Sequence, residues 1–270
     1  MFWNEETGRF VAAIDLVEGK RYDFGYTFLN NEAIYYGYAT DEQAASIMAW
    51  TNGDRIVESD TSQGADIYHW RFGPRSTTKR NTDYYFWAWD CAEKIPFGDQ
   101  VQDGGAVLGF AFHDMMARIR YLGPDNAAAR LAETVEWFRE VQAAGGYRKY
   151  YAPENKRGNM QGGNVAGGLG LDLEFFESIL YPQSLLLGFM GFVPRADGFA
   201  LCPKLPAAWP SLEIDRIRWQ DQIIAIRATH EEIEIKFEGP AREIKIEFSD
   251  EKAVIYMTNE NNPIFHKHSS

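Results

Sequence analysis

The chain has 270 residues, of which 45% are hydrophobic and 24% charged, a composition that excludes bulk disorder and collagen-like repetition. Its 27 basic and 39 acidic residues give a net charge of -12, which would repel a phosphate backbone, so no nucleic-acid partner is expected. The longest apolar run, residues 185–193, is too short to cross a bilayer, so the sequence also predicts no membrane partner.

Residues 31–52 carry the pattern of a helical hairpin. Residues 31–39 are apolar and aromatic, and residues 40–42 have the composition of a turn followed by a helix cap. Residues 44–50 then run on to Asn52-Gly53, which is a typical stop signal. We expect two helices joined by the short turn.

A second hairpin is predicted between residues 108 and 141. Apolar residues recur at helical spacing over 108–122 and 131–141, and Gly123-Pro124-Asp125 separates the two stripes. The first helix carries additional apolar residues and is expected to be an inner, buried helix. The second helix also carries charged residues and is expected to be half exposed. A third inner helix is predicted over 172–190, with a kink at Pro182.

After Pro194 the apolar period changes to two, which indicates short β-strands. The alternating runs are 212–219, 223–226, 233–237 and 244–248. They predict an antiparallel meander that folds into a small sheet or sandwich. The expected fold is therefore α+β, with a helical-hairpin domain at 1–195, an antiparallel β-domain at 196–258 and a flexible polar tail at 259–270.

Long loops rich in glycine and aromatic residues separate the predicted helices. They cover residues 59–81, 98–105 and 145–170. Compact domains seldom keep such long connections without a function. We therefore expect the functional residues in these loops and at the helix ends beside them.

Three carboxylates at predicted starts of inner helices are candidate catalytic residues: Glu32, Asp103 and Asp172. Each could instead cap its helix, because acidic side chains are favoured in a first helical turn. Asp103 is the strongest candidate, because Gln102 precedes it as a substrate-binding amide and two glycines after it would let a ligand approach the backbone. A helix N-terminus would also keep this carboxylate ionised, as a general base requires.

Further candidate substrate contacts lie in the long loops. Trp70, flanked by His69 and Arg71, is predicted to offer an aromatic face to a sugar ring. Gln161 and Asn164 belong to a glycine-rich run without the Lys-Ser/Thr pair of a phosphate-binding loop, so a sugar contact is favoured over a nucleotide site. His69 has no second ligand at helical spacing, and neither a metal nor a cofactor is predicted.

The compartment is predicted from the cysteines and the first residues. Cys91 and Cys202 match no metal-binding or redox spacing and are interpreted as buried thiols. Residues 1–9 are polar and acidic and lack the apolar core of a secretion signal. A cytoplasmic protein is therefore expected.

One segment resembles a known family. Residues 188–199 read GFMGFVPRADGF and continue through PKLP at 203–206 to Trp209-Pro210. This stretch is similar to the junction between the helical barrel and the C-terminal sheet in the six-hairpin, or (α/α)6-barrel, glycosidase superfamily, including cellobiose-type phosphorylases and bacterial α-L-rhamnosidases. The resemblance implies helical hairpins of an (α/α)6 toroid followed by an antiparallel β-domain.

The resemblance implies a carbohydrate-active protein that acts on an oligosaccharide. An inverting glycoside hydrolase is the leading hypothesis, with Asp103 as the base and Glu32 or Asp172 as the acid of a carboxylate pair. One alternative is a glycoside phosphorylase, and the other is a non-catalytic saccharide-binding or split-barrel subunit.

Two expectations depend on these alternatives. In a phosphorylase, Arg71, Arg75 and Arg157 could receive the phosphate. Barrels of this superfamily have twelve helices, whereas roughly five or six of ordinary length precede the β-domain. The chain resembles the C-terminal half of such a barrel, so we expect a homo-oligomer or a complementary chain to cover the inner helices.

Overall fold

The computed structural model of the protein describes residues 1–68, 71, 73–82, 96–98, 100–106, 108–150, 152, 154, 180–248, 252–257 and 263–266. The chain divides into two compact units. The first comprises Met1–Leu122 and Asn126–Tyr181, and the second comprises Gly123–Asp125 and Pro182–Ser270. The division falls upstream of the boundary predicted at residue 195, because the helical segment after Tyr181 belongs to the second unit.

The first unit opens with two small β-ladders that were not predicted. Strands β1 (Trp3–Asn4) and β2 (Arg9–Phe10) pair antiparallel, as do β3 (Ala13–Ile14) and β4 (Arg21–Tyr22). Each strand has two residues, which is too short for an alternating pattern to be recognised.

The first helical hairpin is confirmed. Helix α1 spans Thr27–Tyr35 and α2 spans Asp41–Asn52. Thr40 caps α2 in a reciprocal capping box with Gln43, which satisfies two backbone N–H groups at the helix start. Gly53 ends the helix with a φ of 88°, a left-handed conformation that favours glycine.

The second helical hairpin is also confirmed. Helix α3 spans Leu108–Tyr121 and α4 spans Pro124–Ala143, and a single turn, α5, covers Tyr147–Tyr150. Buried residues recur along α3, whereas fewer positions of α4 are buried, as the inner and outer assignment predicted. In the described part of the chain, no helix is both long enough and apolar enough to cross a membrane.

The third predicted helix is described only from residue 180 onward. Helix α6 spans Leu180–Gln183 and contains Pro182, and a π-helical turn follows at Ser184–Phe189. The helical prediction is confirmed over this stretch, while residues 172–179 lie outside the described residues.

The second unit contains two four-stranded sheets. Its strands are β5 (Val193–Pro194), β6 (Gly198–Leu201), β7 (Ser211–Trp219), β8 (Gln222–Thr229), β9 (Glu232–Glu238), β10 (Arg242–Phe248), β11 (Lys252–Met257) and β12 (Ile264–His266). The sheet orders are β11-β10-β6-β5 and β12-β9-β8-β7. Buried side chains from both sheets, among them Phe199, Ile226 and Ile246, form one hydrophobic core. The α+β class with a C-terminal β-domain is therefore confirmed.

Two features of the β-domain differ from the predicted meander and tail. Only β7, β8 and β9 form a meander, because β10 leaves that sheet and pairs in parallel with β6. Within the predicted flexible tail, Ile264–His266 pairs antiparallel with β9, and the Phe265 ring packs 4.6 Å from that of Phe248. Burial of this aromatic side chain holds the segment against the sheet.

Candidate functional site

The predicted site residues fall into two groups. The structure describes Glu32, Arg71, Gln102 and Asp103. The others lie outside the described residues: His69, Trp70, Gln161, Asn164 and Asp172.

Asp103 lies in a tight loop and does not cap a helix, since α3 is described only from Leu108. The loop closes through a backbone hydrogen bond from Gly105 N to Gln100 O at 2.8 Å. The Asp103 carboxylate is fully buried. Its Oδ1 accepts a 2.6 Å hydrogen bond from the Asn81 backbone N–H, and its Oδ2 lies 2.8 Å from Arg80 Nε.

This environment shifts the pKa of Asp103 in the direction opposite to the expected one. Burial raises the pKa of the carboxyl, and the Asn81 N–H and the Arg80 charge oppose that effect without cancelling it. The expected helix N-terminus does not lie at this residue, because α3 is described from Leu108. A raised pKa suits a proton donor better than a general base.

Gln102 takes part in the same loop. Its backbone carbonyl accepts a 3.3 Å hydrogen bond from Asn81 Nδ2, which also donates to the Tyr26 hydroxyl at 2.9 Å. The side-chain Oε1 of Gln102 is buried and accepts no hydrogen bond from the residues that the structure describes. A buried acceptor is stabilised by a donor.

Glu32 lies inside α1 and not at its start. Its Oε1 is 3.3 Å from Nδ1 of His113, whose ring packs among Tyr35, Tyr36 and Phe112. Burial lowers the pKa of His113, and the Glu32 carboxylate opposes that shift. The described residues give no contact that joins Glu32 to Asp103.

A cavity of about 550 Å³ lies within the first unit. The short 3-10 turn at Gly64–Ile67, the end of α2, and helices α3 and α4 contribute its walls. The lining residues are Asn52, Gly64, Ala65, Tyr68, Arg71, Arg118, Asn126, Ala129, Arg130 and Glu133. Its size falls within the range of small-ligand sites, and most of the lining side chains are polar.

Arg118 organises the cavity wall. Its Nε donates to Asp114 Oδ1 at 2.9 Å, and its Nη1 donates to Asn126 Oδ1 at 2.7 Å and to Asn52 Oδ1 at 3.1 Å. The Tyr68 hydroxyl accepts from Arg118 Nη2 and donates to Asp114 Oδ1 at 2.8 Å. Burial lowers the pKa of Arg118, but the Asp114 carboxylate and the Tyr68 hydroxyl together outweigh burial and raise it, so Arg118 stays charged.

Two further arginines face the cavity. The Arg130 guanidinium lies 3.6 Å above the Tyr68 ring and pairs with Glu133, while its buried Nε donates to no acceptor in the described part of the chain. Arg71, the predicted substrate contact, pairs with Glu140 at 2.8 Å and is half exposed. Tyr68 is therefore covered by a cation and is not an open platform for a sugar ring.

Sequence reasoning missed most of this cavity. Arg118 interrupts the apolar stripe of α3, and Asp114 stands four residues before it, a spacing that indicates an intrahelical ion pair. This spacing is the sequence signal that indicates the Arg118 side of the cavity. Arg75, a predicted phosphate contact, instead donates to the Gly104 carbonyl at 2.8 Å and to Asp66 Oδ1 at 3.0 Å, while Arg157 lies outside the described residues.

Metal binding has no support in the part of the chain that the structure describes. Within those residues, no three His, Cys, Asp or Glu side chains come together as a ligand set.

The comparisons with known proteins identify the C-terminal segment. Residues 192–255 match the family model of the glycosyl hydrolase family 65 C-terminal domain, which relates the chain to carbohydrate-active proteins. No curated protein matches the sequence. A solved structure from the human microbiome that is named a kojibiose phosphorylase aligns with 99% of this chain at 10% identity and a TM-score of 0.42, and the chain spans 30% of its length. Residues 192–255 are thus similar to the C-terminal domain of glycosyl hydrolase family 65.

Proposed function

We propose that the chain is part of a carbohydrate-active protein and that the cavity beside Arg118 binds an oligosaccharide. The observation that carries the proposal is the match of residues 192–255 to a glycosyl hydrolase family 65 domain. The volume of the cavity, about 550 Å³, suits a small ligand and supports it as the binding site.

The cavity lining favours a ligand rich in hydroxyl groups. Asn52, Asn126, Glu133 and the guanidiniums present planar groups with adjacent donors or acceptors, which can pair with neighbouring hydroxyls of a sugar ring. Arg118 is held by three side chains at 2.7–3.1 Å, so its orientation is set before a ligand arrives. Preorganisation of this kind reduces the entropic cost of binding.

The test blocks the cavity without removing a hydrogen bond. Ala129 lines the cavity on the exposed surface of α4, so Ala129→Trp should occlude it, whereas Ala132→Trp places the same bulk elsewhere on the exposed surface of that helix. On a glycan panel, we expect Ala129→Trp to weaken saccharide binding by about tenfold or more and Ala132→Trp to leave it unchanged. Equal binding by both variants would exclude the cavity, and no saccharide bound by the natural chain would contradict the function.

Cleavage of a glycosidic bond is a second candidate function, and the raised pKa of Asp103 favours it. A carboxyl with a raised pKa keeps its proton to a higher pH, which suits donation to the leaving oxygen of a glycoside. In this proposal Asp103 takes the acid role in place of the predicted base role. Assays on bound glycans with and without inorganic phosphate would separate hydrolysis from phosphorolysis.

A further inference from the structure

We infer that the cavity contains an oxyanion subsite formed by Arg130 together with Arg118 and Arg71. The ligand group is a carboxylate or phosphate carried by, or bound beside, a saccharide. The inference rests on the proposed saccharide site and deepens it, because it names the chemical class of ligand that the cavity selects.

The charge of the lining is the first observation. Three arginines face the cavity against one carboxylate, that of Glu133, in a chain whose net charge is -12. Asp114 is buried beside Arg118, and Glu140 pairs with Arg71. Each arginine therefore has one carboxylate partner, but only the partner of Arg130 lies in the lining, so the surface that faces the cavity presents more guanidinium than carboxylate groups.

The unpaired N–H of Arg130 is the second observation. The Arg130 side chain is 13% exposed, and none of the described residues accepts a hydrogen bond from its Nε, although Nη1 is paired with Glu133. A buried guanidinium N–H without an acceptor is costly, and a charged acceptor compensates it better than a hydroxyl does.

The support of the arginines is the third observation. Arg130 rests on the Tyr68 ring at 3.6 Å, and the Tyr68 hydroxyl is itself fixed by Asp114 and Arg118. A stacked guanidinium loses little conformational freedom when it binds, and two fixed cations beside each other attract one anion.

The inference is tested by titrating the full chain with matched ligands. A glucuronic acid-containing oligosaccharide, its neutral glucose counterpart and inorganic phosphate are titrated by calorimetry into the natural chain, Arg130→Gln, Arg130→Lys and Arg139→Gln. Arg139 is the matched control, because it forms the same i,i+3 pair, with Glu136, on the exposed surface of α4.

We expect the natural chain to prefer the acidic over the neutral saccharide. Arg130→Gln should weaken binding of the acidic ligand by about 10- to 100-fold, the size of one charged hydrogen bond, and should reduce the preference for the acidic over the neutral saccharide. Arg139→Gln should leave both unchanged. Arg130→Lys keeps the charge but lacks the Nε donor, so an intermediate loss of anion affinity is expected. If Arg130→Gln fails to fold, Arg130→Lys takes its place in the binding test. Acidic-saccharide binding identifies a carboxylate ligand, and phosphate binding alone identifies a phosphate ligand.

Three outcomes overturn the inference. If the neutral saccharide binds as tightly as the acidic one, the oxyanion subsite is refuted while the proposed saccharide function stands. If no anion binds at all, or if Arg130→Gln and Arg139→Gln weaken anion binding equally, the subsite is refuted as well. Binding of phosphate without any saccharide would support the subsite and contradict the proposed function.

Discussion

Replacing Asp103 by Asn tests whether burial controls this carboxyl. Asparagine keeps the Oδ1 acceptor for the Asn81 N–H at 2.6 Å and removes only the charge. The lost ion pair with Arg80, whose side chain is 30% exposed, contributes at most about 1 kcal/mol because solvent screens it. At pH 7 the natural chain and Asp103→Asn should therefore unfold within about 1 kcal/mol of each other. Asp103→Ala should cost about 1–3 kcal/mol, since it leaves the buried N–H unpaired.

The pH dependence of this difference has a definite sign. The pKa of Asp103 is raised in the folded chain above the 3.8 of an ordinary aspartate, so the folded state binds more protons than the unfolded state between those two values. The contribution of Asp103 to stability is therefore fully present below about pH 3.8 and is lost as the pH rises through the folded pKa. Relative to Asp103→Asn, the natural chain should gain stability as the pH falls.

Urea denaturation of both chains at several pH values between 7 and 3.5 measures this difference directly. The variant removes the contribution of Asp103 and leaves the other titrating groups in place, so the difference in unfolding free energy isolates this residue. A difference that does not change with pH would refute the argument from burial. A natural chain that loses stability against Asp103→Asn on acidification would show that Arg80 controls the carboxylate instead.

Three further predictions follow from the same contacts. Arg9→Met should lower the unfolding free energy by about 3–5 kcal/mol, because it leaves the buried Asp60 carboxylate without its bidentate partner. Denaturant titrations measure this loss, and a loss below about 1 kcal/mol would contradict the prediction. Gly53→Ala should cost at least about 1–2 kcal/mol, because φ is 88° and the new Cβ would lie 2.9 Å from Gly64 Cα; a thermal midpoint equal to that of the natural chain would show that the turn relaxes. If Asp103 donates a proton in glycoside cleavage, Asp103→Asn should lower turnover by about two or more orders of magnitude on a confirmed substrate, and unchanged turnover would exclude that role.

The helices and the strand-rich region could be predicted because their signals are local. The capping box at Thr40 and the stop at Gly53 lie within a few residues of the helix that they bound. The parallel pairing of β10 with β6 could not be predicted, since alternation marks a strand without naming its neighbour. Gly198 was nevertheless a clue, because a glycine inside a strand often marks the close approach of another backbone. In the structure, a Cβ on Gly198 would lie 1.7 Å from the Lys245 carbonyl oxygen.

The cavity could not be predicted because its parts are distant in sequence. Tyr68 and Asp114, which are hydrogen bonded, are 46 positions apart, and nothing in the local pattern of either residue indicates the other. The reasoning on Asp103 failed for a related reason. It assigned the carboxylate to a helix start, where the dipole lowers a pKa, whereas the loop buries it and raises the pKa.

Two networks in the first unit are centred on an arginine, Arg9 or Arg130. Their hydrogen bonds indicate which network is structural and which one could bind a ligand. Arg9 is fully buried, and its guanidinium bonds Asp60 through two nitrogens at 2.6 and 2.8 Å and Asp23 through Nε at 2.7 Å. That network needs no further acceptor, so it holds the β-ladders and α2 in place without offering a site. Arg130 differs because its Nε lies on a cavity wall and donates to none of the described residues. Since buried donors are almost always satisfied, this N–H favours an acceptor that enters the cavity, such as the proposed anion.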